Sequence, residues 1–319
     1  MKFNVKTWLA GIVLVALVAF QPFSGLAEAR DYQHFVVFSD SHLPGRIMDS
    51  KEAALQHVME WPDVDAVVVT GDLSYDTGTE AELNEAWRFF SRINKPLYTI
   101  TGNHDVMYTD VNSPEGKHIR TSPAERIVKI ERFVKKFQIP GPYYSKPVGE
   151  YLLIFLSVDD PNSKYLAEMS EEEITWLRKE LDAHRDRKTV IFFHAPLMGT
   201  LEGANKNINT PHFIAQPQAT IDSILRDNPQ VRLWVSGHTH TGAINATYNS
   251  PVNLYEGKVL NIHTCDMDGR SFLSDKTPSS PRHDTVWTNS LFFFPDRIEI
   301  KTFDHKRNVW MGELTRTVR

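Results

Sequence analysis

Five apolar runs in this sequence end in residues that can bind a metal ion or move a proton. Pro96-Leu97-Tyr98 runs into Thr99-Ile100-Thr101-Gly102-Asn103-His104-Asp105. There Asn103 offers a neutral amide oxygen to a cation, His104 a proton or a hydrogen bond, and Asp105 a carboxylate able to orient a histidine. Gly102 permits a sharp turn before them. Phe35-Val36-Val37-Phe38 leads in the same way to Asp40 and His42, and Ala66-Val67-Val68-Val69 to Gly71 and Asp72. Thr189-Val190-Ile191-Phe192-Phe193 leads to His194, and Leu233-Trp234-Val235 to His238 and His240. One such turn is ordinary polar surface; five together point to a shared site.

The inventory is two aspartates, one asparagine and four histidines, with His104 held back from coordination. Hard oxygen donors mixed with imidazoles suit Mn, Fe, Zn, Co or Ni and not a thiophilic ion. If two ions are held, one carboxylate has to bridge them, and Asp72, at a tight turn after Gly71, is the candidate. Two ions about 3.5–4 Å apart hold a bridging hydroxide at neutral pH and clamp the attacking and leaving oxygens of an in-line displacement. That is the chemistry of phosphoester hydrolysis. It requires no nucleophilic side chain, which agrees with the lack of a Ser-His-Asp arrangement or a reactive-cysteine setting.

The surrounding pattern supplies elements to position these residues. Strands are expected at about 35–38, Val64 to Thr70 and 96–101. They alternate with helices over Asp49 to Glu60 and about 79–94, where Leu83, Ala86, Trp87, Phe90 and Ile93 share a side. The second strand is almost continuously apolar, as in a sheet covered on both faces. From Val106 to Ser122 the pattern is polar and irregular, followed by an amphipathic helix at 123–137 and the turn-rich Ile139-Pro140-Gly141-Pro142. An insertion of this length, about 106–142, is expected to border the substrate. Its Lys117, His118 and Arg120 could meet an anion, although scattered charge on a solvated loop would look the same.

The alternation resumes with a strand from Tyr151 to Val158. Ser170 and Glu173 then read as a capping box for a helix ending near His184. Further expectations are strands Thr189 to Phe193 and Val231 to Ser236, a Gly/Asn/Thr-rich loop at about 199–216 containing His212, and a helix near 218–227. Beyond Gly242 the helices stop, and Ala243 to Tyr248, Asn253 to Ile262 and Leu291 to Ile300 read as strands. The alternating part argues for parallel pairing with helices outside, and the strand-rich end for a second sheet packed on the first. In such sheets ligands gather beyond the carboxyl ends of the strands. Residues 270–285 read as a polar surface connection.

Bulk properties narrow the class. The chain has 319 residues, 41% hydrophobic and 24% charged, which is ordinary globular material. A net charge of -5 gives no reason to expect a nucleic-acid partner. Cys265 is the sole cysteine, so neither an internal disulfide nor a cysteine-rich zinc site is available. At the N-terminus, Lys2 and Lys6 precede the apolar run Trp8 to Phe20, and Ala27-Glu28-Ala29 follows as a small-x-small site. This is the layout of a secretory signal peptide over residues 1–29, cut after Ala29. The apolar run is short for a membrane span. The expected product is a mature chain from residue 30 to 319, periplasmic or extracellular, without a stable membrane anchor.

The ordered set Asp40-x-His42, Gly71-Asp72, Gly102-Asn103-His104-Asp105, His194 and Gly237-His238-x-His240 resembles the calcineurin-like metallophosphoesterase family, which includes class III cyclic-nucleotide phosphodiesterases. The resemblance implies a four-layer αββα sandwich of two mixed β-sheets flanked by helices. It implies that Asp40, His42 and His240 hold one metal, that Asn103, His194 and His238 hold the other, and that Asp72 bridges. His104, oriented by Asp105, would stabilise the transition state or protonate the leaving oxygen. Two divalent or trivalent ions and a small phosphomonoester or phosphodiester substrate follow. Gly71-Asp72-Leu73-Ser74-Tyr75 also matches the Gly-Asp-x-x-Tyr pattern of purple acid phosphatases, whose tyrosine binds ferric iron. Those enzymes lack a histidine two residues after the first aspartate, so His42 is read as the ligand and Tyr75 as a packing or supporting group. A non-catalytic metal-binding scaffold would be expected to have lost ligands or the His of Gly-Asn-His-Asp, and none is missing. A metallo-β-lactamase-type hydrolase would need a compact His-x-His-x-Asp-His cluster, which is absent.

Overall fold

In the computed structural model, residues 30–203, 207–271, 282–283 and 285–319 are described. The proposed signal peptide, residues 204–206 of the Gly/Asn/Thr-rich loop and most of the 270–285 connection lie outside them. Asp31–Arg319 forms one unit.

The early alternation is real. β1 (Gln33–Phe38), α1 (Met48–Glu60), β2 (Val64–Val69), α2 (Glu80–Phe90) and β3 (Leu97–Thr99) follow one another, and β1, β2 and β3 pair in parallel. A single helical turn, α3 (Asn103–Val106), and α4 (Pro123–Phe137) come next. They are followed by β4 (Tyr144–Val148), β5 (Tyr151–Phe155), α5 (Glu171–Ala183), β6 (Lys188–Phe192), α6 (Gln218–Asp227) and β7 (Val231–Ser236). The remaining strands are β8 (Leu254–Tyr255), β9 (Val259–His263), β10 (Arg270–Ser271), β11 (Arg282–His283), β12 (Trp287–Phe293), β13 (Ile298–Asp304), β14 (Val309–Trp310) and β15 (Arg316–Val318).

The division between the two sheets differs from the expectation. The C-terminal strands do not build a second sheet of their own. β12 pairs antiparallel with β1, so the first sheet runs β14-β13-β12-β1-β2-β3, with β15 added on β13. The second sheet is made from the middle of the chain, in the order β4-β5-β6-β7-β9-β8, with β5, β6, β7 and β9 parallel. Both sheets are therefore mixed.

Strand alternation assigns the layers. In β5, Leu153 and Phe155 join the core that contains β1 and β2, whereas Leu152 and Ile154 join the core that contains Leu177 and Leu181 of α5 and Ile221 and Ile224 of α6. Successive side chains point to opposite faces, so the second sheet is sandwiched between the first sheet and α5/α6. Leu55 and Phe90, from α1 and α2, pack in the core of the first sheet. This is the expected αββα arrangement. Among the described residues no helix is long and apolar enough to cross a membrane.

Two local expectations are corrected. Ala243 to Tyr248 is not a strand but a series of turns: Asn245 N–H donates to Gly242 O, Tyr248 N–H to Asn245 O, and the Asn245 side chain accepts from Thr247 N–H at 2.7 Å. An asparagine that binds the backbone two residues on closes a turn of its own. Ser170 caps α5 by accepting from Glu173 N–H, but Glu173 does not reach back. Its buried carboxyl accepts from Ser157 N–H at 2.8 Å, and Asp159 takes the Ser170 N–H. The connection at 270–285 carries the short β10–β11 pair.

Candidate metal centre

All five turns end on one site. Segments 40–43 and 71–75 run side by side, with Asp40 N–H donating to Gly71 O and His42 N–H to Asp72 O. Gly237 N–H donates to His194 O, joining the β6 and β7 turns. The two sheets meet where Val158 N–H donates to Thr101 O and where the Asp40 carboxylate accepts from His238 N–H at 3.0 Å.

The backbone here is forced into an unusual conformation. Asp40, His42, Asp72, His238 and His240 all have positive φ, between 42° and 67°. Non-glycine residues rarely adopt this left-handed region, and where they do they cluster at functional sites. Close approach also explains Gly237. A Cβ there would lie 1.8 Å from Ser39 Oγ and 2.2 Å from Asp40 Oδ2.

Each of the four histidines is anchored through one nitrogen. His42 Nδ1 donates to Tyr75 O at 3.0 Å, His194 Nδ1 to Thr70 O at 2.8 Å, His238 Nε2 to His212 O at 3.0 Å, and His240 Nδ1 to Asp266 Oδ2 at 2.7 Å. Such anchoring fixes the tautomer and the ring orientation of metal-binding histidines. Toward the interior, His194 Nε2 lies 3.2 Å and His42 Nε2 3.9 Å from the buried Asp72 Oδ2. That oxygen has no well-aligned hydrogen bond. His240 Nε2 lies 3.7 Å from Asp40 Oδ1, and Asn103 Oδ1 lies 3.3 Å from His194 Nε2.

These side chains make two groups able to hold a cation, Asp40/His42/Asp72/His240 and Asp72/His194/His238. Asp72 belongs to both. The donor set, two carboxylates and four imidazoles around the amide oxygen of Asn103, fits two hard-to-borderline cations.

The charge states fit as well. Burial would raise Asp72, but His194, His104 and His42 outweigh it and hold the carboxyl well below its usual range. Burial, helped by Asp72 and Asp266, pushes Asp40 up to about 7 against the pull of His194. Burial would lower His194, but Asp72 raises it to about 9, whereas burial and His194 depress His238 to about 3. At neutral pH Asp72 is thus ionised and His238 neutral, both ready to bind. His194, and Asp40 in about half of the molecules, carry protons that a cation would displace.

The expected role of Asp105 is corrected. Its carboxylate accepts from Gly102 N–H (2.8 Å), Ser74 N–H (2.9 Å) and Leu73 N–H (3.4 Å), not from the His104 ring. Neighbours in a helical turn point away from each other, so Asp105 knits the Asp72 and Asn103 turns together instead. The His104 ring is held by Asp76, whose carbonyl oxygen lies 2.6 Å from Nδ1. Tyr75 is 42% exposed, and its contribution is the carbonyl that anchors His42. Of the loop residues expected to meet an anion, His118 lies against Asp76, and Arg120 donates to Tyr165 O. His212 takes part through its carbonyl oxygen.

Asp266 was not expected. It follows β9 and reaches the site because Ser39 and Asp266 form a parallel bridge between the sheets, with Met267 N–H donating to Ser39 O. Behind it, Asp268 N–H donates to Asp266 Oδ1, and Asp268 pairs with the fully buried Lys51 at 2.8 Å. No spacing in the sequence ties Asp266 to His240.

The chain is similar to known proteins in sequence and in fold. The calcineurin-like phosphoesterase family model matches residues 33–242, so the chain belongs to that family. The uncharacterized protein YvnB of Bacillus subtilis (strain 168) is 27% identical over 225 residues, 68% of this chain and 16% of that protein. A probable glycerophosphodiester phosphodiesterase, GpdQ of Arcobacter nitrofigilis, is 27% identical over 140 residues, 42% of this chain and 43% of that protein. The match thus covers less than half the length of either curated relative. A dimetal phosphatase from Danio rerio shares the fold, with a TM-score of 0.55 at 14% identity over 89% of this chain and 98% of that one.

Proposed function

We propose that the chain hydrolyses small phosphate esters at a two-metal centre, with a phosphodiester as the first substrate class to test. The observation that carries this reading is Asp72, one buried carboxylate shared by two separate His/Asp groups. Family membership supports the reaction class, and the name of the GpdQ relative supports the diester.

Asp40, His42 and His240 would hold one ion with Asp72, and Asn103, His194 and His238 the other. Bound ions would supply Lewis-acid polarisation of the phosphoryl oxygens and a lowered pKa for water. The protein's own part is orientation. The anchored imidazoles and the hydrogen bonds of Asp40 to the His238 backbone fix the donors before any ion arrives. His104, held through Nδ1, presents Nε2 to the leaving oxygen, where it delivers a proton or stabilises developing charge. The N-terminal layout, two lysines and then an apolar run from Trp8 to Phe20, supports export, and the metals would then be loaded outside the cytoplasm; cell fractionation of the full chain tests this.

The test is to strip the protein from residue 30 onward of metal and restore Mn, Fe, Zn, Co or Ni. Turnover of p-nitrophenyl phosphate is then compared with that of bis-p-nitrophenyl phosphate. Metal-dependent turnover, faster on the diester, is expected. No turnover with any metal, although ions bind, would favour a scaffold.

A further inference from the structure

The segment between α3 and α4 folds back on itself. Thr109 N–H donates to Ile119 O, Ser113 N–H to Lys117 O and Thr121 N–H to Met107 O, and Tyr108 bridges Arg120 in antiparallel fashion. This hairpin-like path brings two side chains of the loop onto one carboxylate. His118 Nε2 lies 2.6 Å from Asp76 Oδ1, and Asn112 Nδ2 donates to Asp76 Oδ2 at 2.9 Å. The carbonyl of the same residue holds His104 Nδ1 at 2.6 Å. His118 is itself fixed: its ring stacks on Tyr108 at 4.3 Å and meets the His104 ring edge-on at 5.5 Å. Tyr108 in turn receives a hydrogen bond from Asn103 Nδ2 at 3.4 Å.

Asp76 sits in a turn with its side chain about one-third exposed. A carboxylate there, unheld, would sample several rotamers, and its peptide plane would tilt with them. Holding both oxygens fixes the residue, and with it the carbonyl that the His104 ring depends on. Burial alone would raise the Asp76 carboxyl, but the hydrogen bonds from His118 and Asn112 lower it. A hydrogen bond is directional, and misplacement by about 1 Å can cost about 100-fold in rate.

We propose that His118 and Asn112 are positioning residues that orient His104 for proton delivery by clamping Asp76. The proposal rests on the reading of His104 as the group serving the leaving oxygen. It gives the irregular loop a defined task in the reaction.

The experiment compares wild type, His118→Ala, His118→Gln and His104→Ala as full mature chains loaded with Mn(II). Each is assayed on the p-nitrophenyl and the phenyl ester of whichever class the protein turns over. Nitrophenolate leaves readily without a proton, whereas phenolate gains from one. A positioned general acid contributes about 10²–10⁴-fold, so its partial misplacement in His118→Ala is expected to lower kcat on the phenyl ester about tenfold. KM and metal content should hold, and the nitrophenyl rate should change less than about twofold. Gln, whose amide N–H can still donate to Asp76, should restore most of the rate.

A second readout needs no turnover. In metal-free ¹⁵N-histidine-labelled protein, the His104 Nδ1–H resonance, assigned by its loss in His104→Ala, should broaden in His118→Ala and return in His118→Gln. Equal loss on both esters, no loss, or an unmoved resonance in His118→Ala overturns the clamp. If His104→Ala itself shows no leaving-group dependence, the role of His104 fails and takes the clamp with it. If His104→Ala shows that dependence and His118→Ala does not, the clamp alone fails.

Discussion

Removing the Asp266 carboxylate should weaken one metal position and spare the other. Asp266 is fully buried, and its Oδ2 accepts from His240 Nδ1 at 2.7 Å. In Asp266→Ala that ring loses its anchor, and a partner of this kind typically accounts for 10–100-fold in metal affinity. At about 1.4 kcal/mol per factor of ten, the loss is about 1.4–2.8 kcal/mol. The other group, Asp72/His194/His238, has its own anchors at Thr70 O and His212 O. Isothermal titration of the metal-free protein with Mn(II) should therefore show one step shifted and one unchanged. Circular dichroism guards against global unfolding, since Asp266 Oδ1 also holds Asp268 N–H. Asp266→Asn, which keeps an acceptor oxygen, should fall between wild type and Ala. Two unchanged steps in a folded Asp266→Ala protein would refute the reasoning, as would an equal shift of both.

Two further outcomes follow from the same geometry. Gly237→Ala forces a Cβ to within 2.2 Å of Asp40 Oδ2, and overpacking of this kind costs about 1–3 kcal/mol. A lowered melting temperature and a weakened ion at Asp40 are expected, and a wild-type melting curve would contradict this. The pH dependence has a definite sign. Asp40 is raised to about 7, so in the metal-free protein its contribution to stability falls as pH rises through that value. His194 is raised to about 9, so its contribution is present below the ordinary histidine pKa and fades toward pH 9. Metal must displace both protons, so affinity rises with pH, and each proton released adds about 1.4 kcal/mol per pH unit. Scanning calorimetry should find a larger gain in melting temperature on Mn(II) addition at pH 8 than at pH 6; an equal or smaller gain would count against the assignment.

The site was legible because each donor follows a short apolar strand by two to four residues, a purely local pattern. Which strands share a sheet was not. Gln33 pairs with Phe293 across almost the whole chain, and hydrophobic alternation names a strand's faces without naming its neighbour. The same limit hid Asp266, which meets His240 only because the chain crosses between sheets after β9. It also misassigned Asp105, since adjacency in sequence suggested a contact that a helical turn forbids. Ala243 to Tyr248 failed for another reason: Asn245 closes its own turn before the alternating residues can extend.

The shared role of Asp72 is tested most directly by counting ions. Metal analysis after equilibrium dialysis against Mn(II) should find two ions per chain in the wild type. In a folded Asp72→Asn protein, which keeps one neutral oxygen and loses the charge common to both groups, both ions should be weakened together. Two ions held with unchanged affinity in that variant, or no ions in the wild type, would contradict a centre built around one bridging carboxylate.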